Sequence, residues 1–116
     1  MSTPSDAVRA FISPLLPGWR VQLGRWMDGS RTDRYAVIRP AGGLPVSLLR
    51  EPQFTLFLIG AENDSAPLIE EAANVIIEAM RSSSGDLVFM QPAEPVFVAT
   101  EDGRPSFEIA MSAIVN

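Results

Sequence analysis

Six consecutive residues, Phe54-Thr55-Leu56-Phe57-Leu58-Ile59, carry one polar side chain among them and stop at Gly60. An apolar run of that length, closed by a glycine, reads as a central strand. A single strand has no stability of its own, so this run demands neighbours and a cover. The cover is visible downstream. From Ser65-Ala66-Pro67 to about Ser82, Ile69, Ala72, Ala73, Ile76 and Met80 recur on one helical stripe, and Leu68, Val75 and Ala79 widen it. Proline at the start, Glu70 and Glu71 in the first turns and Arg81 in the last complete the helix signals. So wide an apolar face suits a helix laid on a sheet.

The remaining elements follow from local patterns. Thr3 caps a first helix, Pro4 takes its first position, and Val8, Phe11, Ile12, Leu15 and Leu16 share a face until Pro14 ends or bends it. After a Pro17-Gly18 turn, residues 19–26 alternate apolar and polar side chains from Trp19 to Trp26, as in a half-buried strand. A polar loop, Asp28 to Asp33, leads to a second strand over Tyr35–Arg39. Residues 40–45, with Pro40, Gly42, Gly43 and Pro45, read as a turn. A third extended region then spans Val46 to Ile59, divided or bulged at Pro52. Beyond the second helix come a short strand at Leu87–Met90 and a hairpin. Its arms are Val96–Thr100 and Ser106–Val115, and its turn carries Asp102-Gly103. The expectation is one α+β domain over residues 1–116. It has a mainly antiparallel sheet of four to six strands, with two helices packed on one face.

Composition narrows the chemistry. The 116 residues contain no cysteine and no histidine, which removes disulfides, thiolate chemistry and the commonest general base and metal ligand. No phosphate-cradling glycine loop and no serine-nucleophile motif is present. Carboxylates remain, paired in sequence as Glu62 with Asp64, Glu70 with Glu71, and Glu101 with Asp102. Each has a structural use: the N-terminus of a helix, divergent faces of that helix, or a turn. The reading is therefore of a protein with no catalytic residue, metal or cofactor. Net charge is −5, against a nucleic-acid grip, and all nine basic residues are arginine. Arginine suits protein interfaces, and it is equally what a GC-rich genome encodes. The start has no positive charge ahead of an apolar stretch, and no apolar run approaches a membrane span, so a soluble protein used in a cytoplasm is expected.

Trp19 and Trp26 bracket the first strand and can serve as core, as interface anchors or as a ligand platform. Arg39 and Arg50 flank the glycine-rich turn, and Arg34 precedes the strand that leads into it. They can form an anion clamp, pair across subunits, or end strands in solvent.

Several phrases, spread over nearly the whole chain, resemble the tail terminator (tail completion) proteins of tailed bacteriophages, the lambda-like group. They are Leu15-Leu16-Pro17-Gly18-Trp19, the stretch from Arg34-Tyr35-Ala36 to Gly42-Gly43, Arg50-Glu51-Pro52-Gln53-Phe54-Thr55, and Gly103-Arg104-Pro105-Ser106-Phe107-Glu108. The resemblance implies a homo-hexameric ring assembled in the host cytoplasm and carried in the virion. The ring caps the finished tail tube and offers the surface that joins the head. Its partners are further copies of itself, the tube protein and the neck proteins, with DNA passing through the bore without specific binding. An acidic chain suits such a bore. Trp26, Arg34, Arg39, Arg50, Arg104 and Asp102 are the candidate interface residues, with the Asp28–Asp33 loop and the Asp102-Gly103 turn as contact loops. Another neck or head–tail joining protein, a host ligand- or peptide-binding module and a carboxylate-metal enzyme are the competing readings.

Overall fold

The computed structural model describes residues 4–27, 29, 32–44, 51–82, 87–92, 94–98, 100 and 103–115. In chain order these form α1 (Pro4–Ile12), a 3-10 turn (Ser13–Leu15), β1 (Arg20–Leu23), β2 (Tyr35–Leu44), β3 (Glu51–Ile59), α2 (Ala66–Arg81), β4 (Leu87–Pro92), β5 (Val96–Phe97) and β6 (Ser106–Val115). Thr3, read as the cap of α1, lies outside the described residues. The strands make one sheet in the order β1-β2-β3-β6-β4, and β5 pairs with β6. Every pairing is antiparallel except β1 with β2. The fold is α+β, and the apolar run sits where its composition put it, with β3 between β2 and β6.

Period-two alternation gives the sheet two different faces. Ile38, Leu56 and Ile109 are register partners across β2, β3 and β6, and all three are fully buried. They belong to one core with Val8, Ile12 and Leu16 of the first helical segment and Ile69, Ala73, Ile76 and Met80 of α2. Both helices therefore cover the same face. The buried stripe of α2 also takes in Ile77, which the sequence pattern left out, while Leu68 and Val75, read as widening it, are exposed. The stripe is narrower than expected because α2 touches the sheet along one line, and a helix on a flat layer buries only the arc facing it.

Four expectations need correction. The strand at residues 19–26 ends at Leu23. Gly24 adopts φ +87°, a conformation open to glycine, after donating the last ladder hydrogen bond to Ile38 O at 2.7 Å, and the chain turns away. The turn expected at residues 40–45 is absent from 40–44, because β2 continues to Leu44. The strand absorbs Pro40 and the glycines with a register shift between Pro40 and Gly42, so the proline's missing N–H falls at a bulge. That bulge lies on β2. Pro52 continues β3 in register opposite Gly43 instead of dividing it. Residues 45–50, which include the start of the third extended region, lie outside the described residues. The hairpin before β6 is present, although its first arm is a strand only over Val96–Phe97 where Val96–Thr100 was expected; Thr100 N donates to Arg104 O and Gly103 has φ +83°, while Asp102 lies outside the described residues.

Candidate functional site

The face of the sheet away from the helices carries a second, smaller cluster. Tyr35, Val37 and Ile59 are buried there, with Trp26 and Phe57 packed against them. The turn at Gly24 brings Trp26 to this face, whereas Trp19 packs against the helix-side core. The two tryptophans thus lie on opposite sides of the sheet and make no joint platform. Trp26 meets Tyr35 edge-on at 6.0 Å between ring centroids. The Tyr35 hydroxyl accepts a 2.7 Å hydrogen bond from Gly29 N and so holds the loop after β1.

Arg104 ties this cluster to the loops. Its side chain is 1% exposed. Nε donates to Gly60 O at 2.8 Å and Nη2 to Asp33 O at 2.9 Å. The guanidinium stands over Trp26 and Tyr35, at 5.2 and 5.7 Å from their centroids. One fork thereby joins three segments that converge at the same end of the sheet: the β1–β2 loop, the β3–α2 loop and the turn before β6. Among the candidate interface residues that the structure describes, Arg104 is the one turned inward, so its guanidinium is not on the surface of the single chain.

Arg34 and Asp64 make a second tie between the first two of those loops. Arg34 Nε and Nη2 donate to the two Asp64 oxygens at 2.7 and 2.9 Å, and Ala61 N donates to Asp64 at 2.8 Å. This bidentate geometry fits arginine better than lysine. The Arg34 hydrogen bond holds the Asp64 carboxyl below its usual range, against the opposing effect of burial. The same bond raises the Arg34 value. A carboxylate with a depressed folded value stabilises the fold fully above its ordinary value of 3.8, and this is lost as pH falls through the folded value. Asp64→Asn is expected to cost about 1 kcal/mol near neutral pH, a small figure because water screens a partly exposed pair. Thermal unfolding from pH 7 down to pH 2 checks this. The gap between wild type and variant should be constant above about pH 5 and should close below the ordinary carboxylate value.

Arg39 projects from the helix-free face, is exposed, and makes no ion pair among the described residues. With Arg25 and Trp26 it edges a shallow groove of about 210 Å³ whose floor is Val37, Phe57 and Ile59. Pockets for small molecules usually run to roughly 300–1,000 Å³ and close around their ligand. An open groove of this size instead accepts one or two side chains from a partner surface. Gly42 and Gly43, read as part of a turn, are inside β2. Arg50 and Asp102 lie outside the described residues, as do Asp28, Ser30 and Arg31 of the loop after β1. Among the described residues no three acidic side chains gather as metal ligands.

The sequence pattern missed the exposed apolar residues. Val96, Phe97 and Val98 are 57%, 52% and 41% exposed, and Met27 is 65% exposed. Strand alternation indicates which side chains share a face, but whether anything covers that face depends on where the helices dock. Val96, opposite Glu108, faces away from the helices, whereas Phe97, opposite Phe107 with ring centroids 5.4 Å apart, is on their side and still half exposed.

A family model described as phage tail termination protein matches residues 1–116. No curated protein matches the chain.

Proposed function

The chain belongs to the phage tail termination protein family, and from that membership we propose that it forms a homo-hexameric ring that closes the tail tube and receives the head. Its place is the tail of a virion, with a structural role among tail and head components. The observation that carries the proposal is the extent of the match, which runs from the first residue to the last. The surface supports it. Among the described residues no helix covers one face of the sheet, and apolar side chains stand in solvent on β5 and beside β1, as in a subunit made to be covered by neighbours. Net charge of −5 suits a bore through which DNA slides, since like charge repels phosphate. Electron microscopy of particles made without this chain tests the proposal. Overlong tubes without heads are expected, because nothing stops growth or presents the joining surface. Tails of normal length with heads attached would overturn it.

A further inference from the structure

We propose that neighbouring subunits meet head to tail, with the outward face of α2 from one copy seated in the groove edged by Arg25, Arg39 and Trp26 on the next. This rests on the ring reading above and assigns its contact surface. Leu68, Glu71, Val75 and Glu78 follow one another at spacings of three and four, so they form one stripe about 15 Å long on the side of α2 away from the core. All four are exposed, Val75 by 48%. An exposed leucine and valine alternating with two glutamates is the complement of the groove, where an apolar floor lies beneath two exposed arginines. Leucine and valine are also the right size for an open cleft of about 210 Å³.

The layering of the fold supplies the direction. α2 lies on one face of the sheet and the groove on the other, so the two surfaces point away from each other. One copy cannot satisfy both within a two-fold dimer. Each copy offers its helix to one neighbour and its groove to another, a heterologous contact that generates a ring when the rotation closes. Glu108, the register partner of Phe57 on β6, stands across the floor from Val37 and Arg39 on β2. It repels the acidic edge of an incoming helix, and so turns that edge toward the arginines.

Two charge-reversal variants test the contact, Arg25→Glu/Arg39→Glu in the groove and Glu71→Arg/Glu78→Arg on the helix. All four positions are exposed, and each variant is first shown to melt close to wild type. Assembly is then followed by light scattering and by electron microscopy with purified tail tubes present. Each variant alone should associate at least about tenfold more weakly, because like charges face each other. An equal mixture of the two should regain wild-type assembly, since every groove then finds a helix of opposite charge. If wild type assembles and both variants assemble equally well, the contact is elsewhere and the assignment falls while the ring stands. If wild type itself stays monomeric with tubes present, the ring reading fails and this inference falls with it.

Discussion

Arg104→Met is expected to melt on the order of 10–20 °C below the wild-type chain, a loss of about 3–5 kcal/mol. Methionine keeps the bulk and the apolar stem but removes every donor. Gly60 O and Asp33 O each lose a hydrogen bond from a charged donor. The Gly60 carbonyl is the costlier loss, because Gly60 is buried and water cannot replace the guanidinium there. Trp26 and Tyr35 lose the cation over their rings as well. Replacing a buried ion pair with apolar groups is often harmless when both partners go. Here the acceptors are backbone oxygens and stay behind. Arg104→Lys should recover only part of the loss, since an ammonium cannot reach two carbonyls with a fixed fork. Denaturant unfolding of the three proteins measures this. A methionine variant within about 1 kcal/mol of wild type would mean that Arg104 is not the tie between these loops.

Gly60→Ala is expected to cost about 1–3 kcal/mol, a large effect for one methyl group. A Cβ at Gly60 would lie 2.9 Å from both Cδ1 and Cγ1 of Ile69 and 3.0 Å from Cγ of Pro105. Ile69 has no room to yield, because it is fully buried in the first turns of α2. The backbone of Gly60 is held on both sides, its N–H by Pro105 O at 2.8 Å and its carbonyl by Arg104. Relief of the clash must therefore lift α2 or break one of those bonds. A double-mutant cycle of Gly60→Ala with Ile69→Ala, which removes both Cγ1 and Cδ1, separates the causes in thermal unfolding. A double variant that loses less than the two single variants together identifies the Ile69 clash, and additive losses would point to the backbone instead.

Much of this architecture was legible because its signals are local. The apolar run before Gly60 marked the central strand, Pro67 and the stripe from Ile69 to Met80 marked α2, and Asp102-Gly103 marked the hairpin. Pairing partners are not local. The parallel match of β1 with β2 left no mark on either segment, and hairpin-like links suggested the opposite direction. Pro40, Gly42 and Gly43 are breakers by propensity, yet the ladder with β3 keeps them in the strand, because pairing over many residues outweighs local preference. The same distinction governs the candidate residues. Arg39 and Arg104 look alike in sequence, each arginine followed by proline. One ends in solvent at the groove, and the other is buried under an indole. That difference is set by which loops converge at the end of the sheet. The pairing of Arg34 with Asp64 spans two loops separated by thirty positions, so no local spacing announces it.

Imaging purified protein mixed with tail tubes decides whether this chain closes a tube as a ring. A six-fold ring seated on one end of the tubes is expected, with helix and sheet layers alternating around it. Bare tube ends, with the protein remaining monomeric at concentrations that saturate the tubes, would contradict it.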